Sequence, residues 1–176
     1  MRTIESALAV IRSQGRYLLY YDDDWDCWML PNRTVTEFDD GVDDCLRSLT
    51  VDYEMPSWAF GITGTLQVES HKPNPQHDDA VRHYIYMLGF YSLTDADLQY
   101  DCIHTHYLVD IEDWEYECDF YGIDHYEFDC SEHTCTWWTL DEMLADPRMR
   151  QVNADIVGTL ELMERGLLAP PPVELP

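Results

Sequence analysis

Lysine is nearly absent from this chain: of its 10 basic residues only Lys72 is a lysine, and 35 acidic residues stand against them, giving a formal net charge of −25 over 176 residues. A field of that sign repels phosphate backbones, so nucleic acid is not an expected partner, and it repels free nucleotides too unless bound cations offset it. The acids are spread along the chain, those from Asp22 to Glu174 forming no single block, which reads as a surface tuned for solubility or for a salty cytoplasm rather than for acidic recognition. No apolar run approaches the length of a membrane span. The one early apolar stretch, Ala7 to Ile11, is too short for a signal peptide and is followed at once by Arg12. A soluble cytoplasmic protein with no membrane partner is therefore expected. The 6 cysteines could make disulfides in a secreted protein, but the chain is larger than typical disulfide scaffolds and shows no export signal, so free thiols are expected. There is no internal repeat and no low-complexity tract, and nothing sets the oligomeric state.

What the chain does contain is enough apolar material for a core, with 45% hydrophobic and 13% aromatic residues. One domain over residues 1–168 is expected, followed by a mobile proline-rich tail at 169–176. Residues 4–12 (IESALAVIR) and 16–21 (RYLLYY) read as two strands joined by a Ser13-Gln14-Gly15 turn. Val42, Cys45, Leu46 and Leu49 recur at i, i+3, i+4 and i+7, the apolar stripe of an amphipathic helix. Trp58 to Val68 is a long β-like run in which Gly61 and Gly64 indicate a bulge or a close backbone approach. Glu69 to Asp79, with Pro73 and Pro75, reads as a loop, and Val81 to Tyr91 as a strand. Residues 94–132 are acidic and aromatic-rich with strand-like alternation, an insertion expected to form an extra hairpin or to lengthen the sheet. Thr139 and Glu142 have the spacing of a capping box. A last helix follows, with Val152, Ile156, Val157, Leu160 and Met163 at helical spacing and Gly166 as its stop. Strands, one helix, more strands and a final helix give an α+β fold or mixed-sheet sandwich.

Between Trp28 and Met55 the chain reads WMLPNRTVTEFDDGVDDCLRSLTVDYEM. With Arg47 as anchor, Leu49 and Met55 take the apolar positions and Leu30-Pro31 leads into the loop, so the stretch resembles the frame of a Nudix box. Trp137-Trp138-Thr139-Leu140-Asp141-Glu142-Met143 is similar to the segment that precedes the last helix in many Nudix domains. The resemblance covers roughly residues 4–92 and 137–166. It implies a Nudix-like mixed β-sheet sandwiched between helices, here with an extra β-rich acidic insertion, and Mg²⁺- or Mn²⁺-dependent cleavage of a nucleoside diphosphate linked to another moiety. The departures fall on the chemistry. Arg33 stands where the first glycine belongs, Asp39 replaces the loop glutamate, Glu54 replaces the closing glycine, and Ser48, Val51 and Asp52 replace the glutamate cluster.

Diphosphate hydrolysis needs hard oxygen ligands to hold the metal and a base to activate water. Asp44, Ser48 and Asp52 stack at i, i+4 and i+8 on a helix face away from the apolar stripe, which leaves Asp44 and Asp52 as candidate metal ligands and Asp52 as the remaining candidate catalytic acid of the box. Asp43, Asp44 and Asp52 read equally well as the solvated side of a surface helix. Loss of a general base alone costs about 10²–10⁴ in rate, so hydrolysis by the usual route is expected to be weak or absent. Some Nudix enzymes supply a catalytic glutamate from outside the box, which makes Glu112 and Glu115, with Glu117 beside them, candidates for that role; a solvated acidic loop is the bland alternative. Arg33 and Arg47 could contact a phosphate without a metal. Arg47 is expected to pair with Asp43 or Asp44, and Arg33 to be the freer of the two for ligand binding. Trp25, Trp28, Trp58 and Tyr84 could line an aromatic pocket for a base, with Trp28 taken as a substrate contact, or fill the core. Cys102, His104 and His106, with Cys130, His133 and Cys135, match no standard zinc spacing, and zinc is not expected. Two readings of function follow: a divergent Nudix-type hydrolase, or a catalytically silent Nudix-like module that binds a nucleotide derivative or a protein partner.

Overall fold

The computed structural model of the protein describes residues 2–13, 15–53, 60–74, 80–93, 127–130, 132–168 and 174–175. In chain order the first elements are β1 (Thr3–Val10), β2 (Arg12–Ser13), β3 (Arg16–Asp22), β4 (Cys27–Met29), β5 (Asn32–Thr34) and α1 (Val42–Asp52). There follow β6 (Phe60–Pro73), β7 (Val81–Leu93), β8 (Glu127–Cys130), β9 (His133–Thr139), α2 (Leu140–Ala145), α3 (Pro147–Glu164) and β10 (Glu174–Leu175).

Two sheets share the middle layer. The first has the order β5-β1-β7-β6, with β1 and β7 parallel and the other pairs antiparallel. The second has the order β10-β2-β3-β9-β8, with β4 also paired to β3. The expected strand over 4–12 is interrupted at Ile11, where the chain passes from the first sheet to the second while its carbonyl still accepts from Leu18 at 2.9 Å.

Side chains on neighbouring strand positions point to opposite faces, and here both faces are covered. Ala7 and Ala9 of β1 and Leu18 and Tyr20 of β3 pack with Cys45, Leu46 and Leu49 of α1. Leu8 and Val10, with Tyr17 and Leu19, pack on the other side with Val152, Ile156, Val157 and Leu160 of α3. The result is a mixed sheet layer between helices, the α+β arrangement of the sequence pattern and the layering that the family resemblance implied. Each buried Leu-sized side chain contributes about 1.5–3 kcal/mol.

The helix signals act where they were read. On α1, Cys45, Leu46 and Leu49 are buried and Asp43, Asp44, Arg47 and Asp52 are exposed. The helix lies close on β7: a Cβ at Gly89 would stand 2.8 Å from Leu46 Cδ2, and the Tyr91 hydroxyl donates to the Leu46 carbonyl. Thr139 and Glu142 form the reciprocal capping box, but they start only α2; Asp146 then caps a second start with Pro147 in the first turn of α3. Gly166, at φ +70°, ends α3, with Gly166 N donating to Met163 O at 3.0 Å and Leu167 N to Leu162 O at 2.9 Å.

One expectation fails in the first sheet. Glu69 to Pro73 is not loop but the second half of β6, because the antiparallel ladder with β7 continues to the pair Pro73↔Val81, where a proline at the strand end forfeits little. The glycine pair does mark an irregularity, a register shift between Ile62 and Gly64. Most of the 94–132 insertion lies outside the described residues; its end supplies β8. Among the described residues no helix is long and apolar enough to cross a membrane.

Candidate functional site

On β5, Asn32 and Thr34 face α3 and Arg33, between them, reaches the α1 side of the sheet. Arg33 is not free. Its Nη1 donates to Ser48 Oγ on α1 at 2.8 Å and its Nη2 to Asp39 Oδ1 at 2.8 Å. The other Asp39 oxygen accepts from the Thr36 backbone N–H at 2.8 Å and the Thr36 hydroxyl at 3.0 Å. These Thr36 bonds first, and the Arg33 charge after them, hold the Asp39 carboxyl below the usual carboxylate range. Ser48 in turn donates to the Cys45 carbonyl at 3.0 Å. The Asp39 side chain is 4% exposed and that of Arg33 41%, so the pair is a closed link between β5, the loop and α1 with one solvent-facing side.

The other residues singled out in the sequence are placed as follows. Asp44 and Asp52 are exposed on α1, and Asp44 lies in its first turn beside Asp43, where acids favour the positive helix end. Arg47 is exposed on the same helix. The Val51 side chain, Glu112, Glu115 and Glu117, Cys102, His104 and His106, Trp58, and the Cys130 side chain lie outside the described residues. Trp28 packs against Tyr21 and Trp138, with ring centres 5.3 Å and 5.8 Å away.

The divalent ion that the sequence resemblance implies does not fit the residues described on α1. Among the described residues no three His, Cys, Asp or Glu side chains gather as a metal would require. The hydroxyl at Ser48 is already held by a guanidinium, a fixed positive charge that disfavours a second cation beside it.

On the opposite side of the first sheet, under α3, lies a cavity of about 300 Å³. Trp25, Tyr84 and Tyr86 give it flat aromatic walls, and Ile4, Leu8 and Ile156 an apolar floor. Tyr84 and Tyr86 project from one face of β7 and stack at 5.7 Å, and Trp25 meets Tyr84 edge-on at 6.3 Å. Three amides, Asn32, Asn74 and Asn153, add polar points. Asn32 is oriented by bonds from Nδ2 to the Tyr20 hydroxyl at 2.8 Å and the Leu30 carbonyl at 3.0 Å. Asn153 sits at a break in α3, with φ −121° and ψ 29°. The turn carrying Trp25 is pinned by Arg148, which donates to the Trp25 carbonyl at 2.7 Å and the Asp26 carbonyl at 3.1 Å.

Lys72 closes this wall from behind. Its ammonium stands 5.1 Å, 5.7 Å and 5.9 Å from the ring centres of Tyr86, Tyr84 and Trp25. It also donates to both Asp155 oxygens, at 3.1 Å and 3.2 Å, and to the Val152 carbonyl at 3.0 Å. Burial lowers its pKa, and Asp155 recovers only part of the loss.

Sequence reading picked out Trp25 and Tyr84, which line the cavity, and Trp28, which is not among its lining residues. It missed Tyr86, the asparagines and the Lys72–Asp155 pair. The Tyr84/Tyr86 alternation on one strand face was the available signal; the others come together only through strand pairing and helix packing.

No protein-family model matches the chain, and no curated protein does. Among solved structures it is similar to C. elegans Ap4A hydrolase, at 13% identity over 94% of this chain and 99% of that one, with a TM-score of 0.51. A NUDIX hydrolase from Nitrosomonas europaea aligns at 12% identity over 96% and 93% of the two chains with a TM-score of 0.49. The E. coli ORF135 protein aligns at 15% identity over 84% and 81% with a TM-score of 0.45. The likeness to the C. elegans enzyme, end to end at so low an identity, gives this chain the Nudix fold and leaves its activity to be argued from its own residues.

Proposed function

We propose that this protein is a Nudix-fold binding module for a nucleotide-like small molecule, with the ring of the ligand in the cavity under α3, and that it does not cleave the ligand by the metal-dependent route usual for the fold. The observation that carries this reading is Arg33 held on Ser48 and Asp39: at the centre of the α1 face that would need to gather carboxylates around a divalent ion, the Ser48 hydroxyl is instead held by a guanidinium. The cavity supports the other half. Trp25, Tyr84 and Tyr86 offer faces for a flat ring, and the amides of Asn32, Asn74 and Asn153 can hydrogen-bond its edges.

The test is a calorimetric titration with an ADP-sugar, followed by assay for released phosphate products. Binding without product is expected, and Tyr84→Ala weakens it about fivefold or more, since stacking on a base contributes about 1–3 kcal/mol. A second reading keeps the chain an enzyme, with Mg²⁺ or Mn²⁺ held by Asp44 and Asp52 and with Glu112 or Glu115 as base. Product formation that is lost in Asp52→Asn or in Glu112→Gln/Glu115→Gln would establish it in place of the first. Restoring glutamate at Ser48 and Val51 is a further arm: a large gain in hydrolysis would show that the α1 side of the sheet still accepts a Nudix substrate and would favour the second reading.

A further inference from the structure

Charge is distributed unevenly in this molecule. Of its 176 residues 35 are acidic, yet the 14 described residues that line the cavity include no aspartate or glutamate and do include Arg2 and Arg82. The topology gathers these two arginines at one end. In the parallel pairing of β1 with β7, Thr3 lies opposite His83, so Arg2 and Arg82, one step earlier on each strand, stand side by side. The Arg2 carbonyl accepts from His83 N at 2.9 Å and fixes that register. Both arginines line the cavity with Tyr84; burial raises the pKa of the Tyr84 hydroxyl, while the Arg82 charge, a hydrogen bond with Asn74 and then the Arg2 charge lower it. Asp155, on the α3 side of the aromatic wall, is taken up by Lys72, and Asp22 by the Trp25 backbone N–H at 3.0 Å.

A chain this acidic repels anions at long range, but that repulsion is screened by salt within about 10 Å at ordinary ionic strength, whereas contacts inside a partly enclosed cavity are screened much less. Local cations therefore decide what the cavity accepts. A volume of about 300 Å³ is at the small end for ligand sites and has room for one ring system and a small substituent.

We infer that the cavity selects a ligand whose ring system bears an oxyanion, a phosphate monoester or a carboxylate, with the ring between the aromatic wall and Ile156 and the anion at the Arg2/Arg82 end. This deepens the proposed function and rests on the cavity being a ligand site, but not on the ligand being a nucleotide.

Two pairs of probes, adenosine with AMP and nicotinamide with nicotinate, differ within each pair by one anionic group. Titrated calorimetrically into the full chain in EDTA, the anionic member of a binding pair is expected to bind about tenfold tighter or more, as charge-assisted hydrogen bonds require. Arg2→Gln and Arg82→Gln shrink that preference, weakening the anionic member of each pair more than the uncharged one. Arg82→Lys, which keeps the charge and guards against a folding defect, retains part of it. Equal affinity within each pair, a preference untouched by both glutamine variants, or no binding by any probe would overturn the inference. Failure of adenosine and AMP alone, with nicotinate still preferred over nicotinamide, would sink the nucleotide reading and leave the charge selection standing.

Discussion

Replacing Lys72 with methionine keeps the length of the side chain and removes its charge, which strands Asp155 with 18% of its side chain exposed. At 3.1 Å and an effective dielectric constant near 20, the gross attraction in the pair is about 5 kcal/mol. The lowered pKa of Lys72 shows that desolvation of the ammonium outweighs the help from Asp155, so the net worth of the pair is far smaller than that figure. Two consequences follow. Lys72→Met alone is expected to cost about 2–3 kcal/mol, somewhat under the usual cost of breaking a fully buried pair, because both side chains keep some solvent. Lys72→Met/Asp155→Leu, which removes both charges and returns apolar surface against Trp25, Tyr84 and Tyr86, is expected to lie within about 1 kcal/mol of the unaltered protein. Urea denaturation at neutral pH, read by tryptophan fluorescence, supplies the cycle: the midpoint drops for each single variant and recovers in the double, with the slope unchanged. If the double variant loses as much as the two singles added together, the pair is not coupled and the account of the cavity wall is wrong.

Three further outcomes follow from other contacts. Gly89→Ala places a methyl 2.8 Å from a Leu46 side chain that is fully buried, so a loss of about 1 kcal/mol or more is expected in chemical denaturation, and an unchanged midpoint would refute the close approach of α1 to β7. Asp39 has a depressed pKa in the folded state, so its contribution is present above the ordinary carboxylate range and fades as pH falls through the folded-state value; Asp39→Asn should flatten that part of an acid-denaturation profile. Burial raises the pKa of Tyr20, Tyr86 and Tyr91, so their contribution is intact below the ordinary tyrosine value and is lost as pH climbs toward the raised ones. Thermal unfolding should therefore shift down above about pH 10, less so in Tyr91→Phe, and a flat alkaline limb would count against the burial of these hydroxyls.

What could be read from the sequence was what neighbours along the chain decide. The α1 stripe, the Thr139/Glu142 box and the Gly166 stop are local signals, and each acts at the expected residues. The strand limits were less legible, because pairing sets them: β6 runs on to Pro73 since β7 lies beside it, and β1 stops before Ile11 since the chain changes sheets there. The box showed which carboxylates are missing but not what replaces them. That Arg33 bonds to Ser48, 15 residues on, depends on β5 lying at the sheet edge beside α1. The cavity was the least visible, because its walls come from β1, β5, β7, α3 and the turn at Trp25, and no stretch of sequence contains them together.

The proposed function separates ligand binding in this protein from divalent-metal chemistry. The most direct measurement is one calorimetric titration of an ADP-sugar carried out twice, in EDTA and in excess Mg²⁺, with the cell contents then analysed for cleavage products. The same affinity in both and an intact ligand at the end are expected. Binding that appears only with Mg²⁺, accompanied by cleavage, would contradict the proposed function and would require carboxylates outside the described residues to complete a metal site on α1.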